Sequence, residues 1–202
     1  MTRLMPRRLL IQMSRWPAPG RCKRRLAAGL GCSPAALVQQ RLQWHSQAAL
    51  KQACHQLGAS RWLALAGAGP RAGRRLQAGS VVQQGGGGLG LRLQRMCVRA
   101  FRAGFEQVVL VGSDLPELAS ADLLQAFAAL QHKPLVLGPA ADGGYWLVGL
   151  SQLQPRLFAG IDWGSDQVLR QTLAVAEALS LPAALLALRH DLDRPTDLRR
   201  WR

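Results

Sequence analysis

Six apolar runs, at residues 9–14, 61–67, 107–113, 134–139, 145–150 and 182–188, alternate with stretches whose apolar residues recur at helical spacing. Helical patterns run from Ser33, read as an N-cap with Pro34 in the first turn, to about Leu57, and over LGLRLQRMCVRAFRAGF (89–105). Two more cover Ser120 to about Leu130, and DQVLRQTLAVAEAL (166–179) with Ser165 as its cap. Strands alternating with helices predict a three-layer α/β/α sandwich with a mostly parallel central sheet. At 202 residues and 49% hydrophobic content, a single domain over 1–202 with a full core is expected. No repeat or linker interrupts it. The glycine run 85–88 reads as a mobile loop, and the connection before it is rich in Gly and Arg.

In such sheets ligands bind beyond the carboxyl ends of the strands. That places the end of VLVGSDLPEL, with Ser113 and Asp114, at the mouth of a site, and Pro116 turns the chain away. Asp114 could hold Mg²⁺ or Mn²⁺ against a diphosphate, or could merely stabilise its turn. A second acidic cluster, Asp191 and Asp193, follows the last strand and favours the metal, with Asp114 and Asp193 as its ligands. Thr196 or Asp197 in the same segment could simply cap a final short helix.

The loop after the first strand, RWPAPGRCKRR, carries Arg15, Arg21, Lys23 and Arg25 around Pro19 and Gly20. Cationic donors on a tight turn suit a diphosphate, and a solvated basic loop is the bland alternative. No Walker A sequence or G-x-G-x-x-G occurs there, which argues against a P-loop NTPase or a dinucleotide enzyme. In ADGGYWLVGL, Gly143, Gly144 and Tyr145 could shape a substrate pocket and Asp142 could serve as a base, or the letters could encode only a β-turn. In IDWGSDQVL, Trp163 could stack on a sugar and Asp166 could act as general base, while Ser165 and Asp166 equally suit a helix start.

The charge is lopsided: 26 Lys and Arg stand against 11 Asp and Glu, and no acid precedes Glu106. Arginines outnumber lysines 23 to 3 but are scattered, which reads as composition bias rather than a dedicated nucleic-acid surface. Cys22, Cys32, Cys54 and Cys97 lack the close pairing of a zinc site and read as reduced thiols. The apolar run from Leu9 to Met13 is too short for a signal-peptide core or a membrane span. A cytoplasmic protein without a membrane span is expected; the sequence leaves its oligomeric state open.

Taken in order, LLIQMSRWPAPGRCKRRL, VLVGSDLPEL, LVLGPAADGGYWLVGL, FAGIDWGSDQVL and HDLDRPTDL resemble the DUF2064 glycosyltransferase family of the GT-A, or nucleotide-diphospho-sugar transferase, superfamily. The resemblance implies a GT-A fold and a more distant similarity to molybdenum-cofactor and phospholactate guanylyltransferases. By the same resemblance Pro17, Pro19, Gly20, Lys23 and Arg25 match the family's nucleotide-diphosphate loop. Asp114 matches its metal position, with one aspartate of the usual D-x-D. Asp142 to Tyr145 match a D-G-G-Y segment, Trp163 and Asp166 a W-S-T-D segment, and Asp193, Pro195 and Asp197 the closing pattern. Arg24, Gly164 and Ser165 depart from it, as do Gly88 and Leu91, where relatives commonly carry acids.

The expected function is a metal-dependent glycosyltransferase with a nucleotide-diphospho-sugar donor and Mg²⁺ or Mn²⁺. The alternatives are a nucleotidyltransferase acting on a small phosphorylated substrate and a non-catalytic nucleotide- or RNA-binding protein.

Overall fold

The structure, a computed structural model, describes residues 6–69 and 80–201. Most of the Gly- and Arg-rich connection, at 70–79, lies outside the described residues. Seven strands are present: β1 (Arg8–Arg15), β2 (Ser60–Ala66), β3 (Ser80–Gln83), β4 (Gln107–Gly112), β5 (Leu135–Pro139), β6 (Tyr145–Leu150) and β7 (Ala183–Leu185). They form one sheet in the order β3-β2-β1-β4-β6-β5-β7, parallel throughout except for β6, which runs antiparallel to both neighbours. The helices are α1 (Arg24–Leu30), α2 (Cys32–Leu57), α3 (Leu89–Arg102), α4 (Ser120–Ala129) and α5 (Val168–Ala178).

The central strands are apolar at consecutive positions because both sheet faces are covered. Leu9, Ile11, Val108, Leu110, Leu135 and Leu137 pack on one side against Met96, Cys97 and Ala100 of α3 and Ala176 of α5. Their neighbours Leu10, Val109, Val111 and Val136 point the other way, onto Leu50 and Ala53 of α2 and Leu123, Ala126 and Phe127 of α4. These are the three expected layers. Strand order reverses between β1 and β4, so the crevice at their carboxyl ends is the topological switch point.

Several local expectations are corrected. α2 starts at Cys32 behind Gly31, without Ser33 as its cap. The basic loop is shorter than its sequence suggested, because α1 begins at Arg24. Ser165 does not cap α5, which starts at Val168. Its Oγ instead accepts the Gln167 N–H at 3.2 Å and donates to the Asp162 carbonyl at 2.8 Å, closing a separate turn. The last strand keeps only Ala183–Leu185 in regular pairing, since it is an edge with one partner. The glycine run passes beside Arg95, which donates to the carbonyls of Gln84 and Gly86.

Where α2 crosses the sheet its buried face is polar. Gln43 is fully buried, and among the described residues neither its amide oxygen nor its amide nitrogen has a hydrogen-bond partner, and neither does the Gln12 Oε1. Unsatisfied buried amides cost stability. Gln43→Leu is therefore expected to be neutral or to stabilise by about 1 kcal/mol in urea denaturation. Destabilisation beyond about 1 kcal/mol would count against an unpaired amide.

Candidate functional site

Two clefts of about 440 Å³ each adjoin at the carboxyl ends of β1 and β4. Met13, Arg25 and Leu89 wall both. They differ in chemistry.

The first is basic. Arg15, Arg21, Lys23, Arg24, Arg25 and Arg92 line it, against two carboxylates, Asp114 and Asp193. The loop that carries most of these cations turns at Gly20 (φ 72°), and Arg15 donates to the Arg21 carbonyl at 3.3 Å. Lys23 sits at the cap of α1 in the left-handed region (φ 48°), an uncommon conformation for a residue with a side chain. That backbone turn accompanies a buried side chain whose Nζ lies 3.0 Å from Asp114 Oδ1 and donates to the Leu192 carbonyl. Ser113 lies on the cleft floor, buried, with its hydroxyl within 3.2 Å of Ser14 Oγ and accepting from Gln39 Nε2 at 3.0 Å. These partners hold the end of β4 to the end of β1. Gln84 lines the same floor with its amide nitrogen bonded to the carbonyls of Ser14 and Ala64.

The carboxyl-terminal segment enters through one backbone bond, from Leu192 N to the Asp114 carbonyl at 2.9 Å. The Leu192 side chain is fully buried with Leu26, Ala35 and Leu42. Asp193 lines the basic cleft and pairs with Arg25 at 2.9 Å, whereas Asp191 lines the second cleft. Burial pushes the Asp191 carboxyl up to about 7, helped by the negative charges of Asp114, Asp142 and Asp193 and opposed by Lys23. Asp197 accepts the backbone N–H groups of Asp193 and Arg194, the capping role expected for it.

The second cleft is apolar with an acidic rim: Leu93, Tyr145, Trp163 and Val168 form part of its wall, and Asp142, Asp166 and Asp191 its carboxylates. Asp142 and Asp166 come from different loops. Asp142 Oδ1 accepts the Gly144 N–H at 3.0 Å, and Leu169 N donates to the Gly143 carbonyl at 2.9 Å, which ties the two loops together. Gly143 (φ 87°) is so close to the Asp166 backbone that a Cβ there would lie 2.1 Å from its carbonyl oxygen. Trp163 meets Tyr145 edge to face at 6.1 Å and lies against Gly90 of α3, where a Cβ would lie 2.3 Å from the indole nitrogen. Burial pushes the Tyr145 hydroxyl well above its usual range.

Among the described residues, no group of three or more His, Cys, Asp or Glu side chains is arranged to hold a metal. The residues do fit a metal that arrives with a ligand. Asp114 Oδ1 is buried, with Lys23 Nζ at 3.0 Å as its one partner among the described residues, and Asp191 is crowded by like charge. A divalent ion carried by phosphates needs only one or two protein carboxylates.

The expected loop residues Arg15, Arg21, Lys23 and Arg25 thus line one cleft with Ser113 and Asp114, and Asp142, Gly144, Tyr145, Trp163 and Asp166 line the other. Asp193 is not brought to Asp114 by a direct contact; Arg25 holds it, and Asp191 is the carboxylate that interacts with both Asp114 and Asp142. Sequence reasoning missed Gln39, Gln84 and Arg92 as lining residues. A lone Gln on a long helix or at a strand end carries no local signal, and Arg92 was one arginine among many.

The family model described as an uncharacterized protein conserved in bacteria (DUF2064) matches residues 46–165. No curated protein matches the chain. Among solved structures, an inferred nucleotide-diphospho-sugar transferase from Desulfovibrio desulfuricans G20 is 28% identical, with a TM-score of 0.84 over 94% of this chain and 84% of the other. The inositol-1-phosphate CTP transferase of T. maritima (14% identity, TM-score 0.57, 96% and 91% covered) shares the fold. So does glucosyl-3-phosphoglycerate synthase from Mycobacterium tuberculosis, solved with Mn²⁺, UDP and glucosyl-3-phosphoglycerate (12% identity, TM-score 0.57, 96% and 75% covered). These neighbours are transferases of nucleotide chemistry, and the fold is of the nucleotide-diphospho-sugar transferase type. Among the described residues no helix is long and apolar enough to cross a membrane.

Proposed function

We propose that this chain, which belongs to the DUF2064 family, is a one-domain transferase that uses a nucleoside-diphospho-sugar donor. One observation carries the reading: a basic cleft and an apolar, acid-rimmed cleft share a wall at the switch point. A diphosphate in the first and a sugar reaching into the second would put the scissile bond over that wall, beside Asp114 and Asp191.

Arg15, Arg21, Lys23 and Arg25 bind the diphosphate and stabilise the charge that develops on it as it leaves, an effect largest in a site already arranged for that charge. Pro19 and Gly20 shape their loop, and Ser113 keeps the two strand ends together beneath it. Asp114 and Asp191 would hold a divalent Mg²⁺ or Mn²⁺, which supplies charge neutralisation on the phosphates. In the transfer an acceptor hydroxyl oxygen bonds to the anomeric carbon of the sugar. The bond from that carbon to the phosphate oxygen breaks, and its electron pair departs with the nucleoside diphosphate. Asp166 or Asp142, on the rim, takes the hydroxyl proton. Gly143, Gly144, Tyr145 and Trp163 shape the sugar and acceptor pocket.

A thermal-shift series of nucleoside diphosphates, nucleotide sugars and NTPs, with and without Mn²⁺ or Mg²⁺, tests the site. A ligand at about a hundred times its dissociation constant should stabilise by about 2.7 kcal/mol. Asp114→Ala should lose the metal-dependent part of that shift. The site is wrong if no nucleotide shifts the wild type, or if Asp114→Ala responds as wild type does.

The surplus of cations in the basic cleft also suits a triphosphate, which supports nucleotidyl transfer as a second reading. Pyrophosphate released from an NTP would favour it, and nucleoside diphosphate released from a nucleotide sugar would favour the first.

A further inference from the structure

We infer that the acceptor in the second cleft is a neutral or cationic amphipathic hydroxyl compound, and that phosphorylated or carboxylated acceptors are excluded. The inference rests on the donor reading above and names the substrate class of the same site.

Charge is segregated between the clefts against the trend of the whole chain. The protein has 26 basic and 11 acidic side chains, yet the second cleft holds three carboxylates, Asp142, Asp166 and Asp191, and one cation, Arg25. That cation is already engaged by Asp193 at 2.9 Å. None of the three carboxylates makes an ion pair among the described residues. Asp142 and Asp166 only accept hydrogen bonds, from Gly144 N and from Gln167 Nε2 at 2.8 Å. A phosphate entering here would meet two or three uncompensated negative charges with no free donor cation. Like charges brought together in a partly desolvated cleft disfavour binding strongly.

The rest of the wall supplies the other half of the specificity. Tyr145 and Trp163 stand edge to face, and Leu93 and Val168 complete an apolar surface. The Trp163 ring is held in place by the absence of a side chain at Gly90. The Tyr145 hydroxyl is buried beside Thr172, which leaves the ring as an apolar body against Trp163. Aromatic walls of this kind take the apolar face of a sugar or an aryl or alkyl group. A metal shared by Asp114 and Asp191 would offset Asp191 alone and leave the rim negative at Asp142 and Asp166.

The class also bears on the reaction. Nucleotidyl transfer to a sugar phosphate requires an anionic nucleophile where the structure concentrates carboxylates, whereas glycosyl transfer requires a hydroxyl that a carboxylate can deprotonate.

The test uses the full chain loaded with whichever nucleoside diphosphate gives the largest thermal shift. Three probes are titrated by saturation-transfer NMR and calorimetry: 4-nitrophenyl β-glucoside, 4-nitrophenethylamine and 4-nitrophenyl phosphate. The neutral and cationic probes should bind, the phosphate about ten-fold more weakly or worse, and Trp163→Ala should weaken the first two. Two results overturn the inference and leave the donor reading standing: phosphate binding equal to or tighter than the others, or no binding by any probe while the nucleoside diphosphate still binds. If no nucleoside diphosphate stabilises the protein, the donor reading falls and this inference with it.

Discussion

Asp191→Asn is expected to raise the melting temperature in metal-free buffer at pH 8 and to abolish the extra stabilisation that Mn²⁺ or Mg²⁺ gives the nucleotide complex. The Asp191 carboxyl, ordinarily near 3.8, is raised to about 7 by burial and by the carboxylates of Asp114, Asp142 and Asp193. Between those values the folded protein binds the proton that the unfolded chain releases. Stability therefore falls as pH rises through this window, and the full penalty is present above about 7. About three pKa units correspond to a ceiling of about 4 kcal/mol, and solvation of the half-buried cluster brings the expected gain to about 2 kcal/mol. The wild type should lose stability between pH 5 and 8 by a similar amount, and the variant should not. The decisive measurement is urea denaturation at pH 5 and pH 8 without metal, beside thermal shifts with nucleotide and metal. A variant less stable than wild type at pH 8, or one that keeps the metal response, removes Asp191 from the metal set.

Gly143→Ala should destabilise the protein by about 3 kcal/mol and should disable the second cleft more than the first. Two costs add. A non-glycine residue at φ 87° is strained, and the new Cβ would lie 2.1 Å from the Asp166 carbonyl oxygen, a backbone atom that cannot swing aside. The loop bearing Asp142 must then separate from the loop bearing Asp166, breaking the bond from Leu169 N to the Gly143 carbonyl. Gly144→Ala is the natural control. Its Cβ would meet only the flexible Asp142 carboxylate, at 3.2 Å, so it should cost less than about 1 kcal/mol. Chemical denaturation of the pair, together with nucleotide thermal shifts, separates the effects. Equal destabilisation by both substitutions, or an unchanged transfer rate in Gly143→Ala, would contradict the close seam between the loops.

Much of the candidate site was legible because its residues lie in short segments at strand ends. Gly112, Ser113 and Asp114 end an apolar run, so strand assignment put them at the carboxyl-end crevice; Asp142 to Tyr145 open β6, and the antiparallel direction of that strand brings them to the same end. What failed were capping assignments. Ser165 and Ser33 have the chemistry of N-caps, but a hydroxyl can close an isolated turn as readily as a helix, and which it does depends on where the chain is pulled by its packing. Arg24 and Arg25 looked like loop residues because their helix is short and buries only Leu26.

By itself the sequence determined the layers. Strands apolar at successive positions must be covered on both faces, and helical periodicity between them supplies the cover, whatever the details. It also marked which residues could be chemical, each beside a structural alternative in a turn or a helix start. The tertiary structure decided which carboxylates act together. Alternation along an extended backbone would put Asp191 and Asp193, two positions apart, on the same side, yet they line different clefts. Only the bond from Leu192 N to Asp114 and the burial of Leu192 beside α1 and α2 decide which goes where. No local pattern encodes a contact between residues so far apart in the chain. The pairing of Lys23 with Asp114 has the same origin, since it requires a left-handed residue at the start of α1 that neither its neighbours nor its propensity predicts.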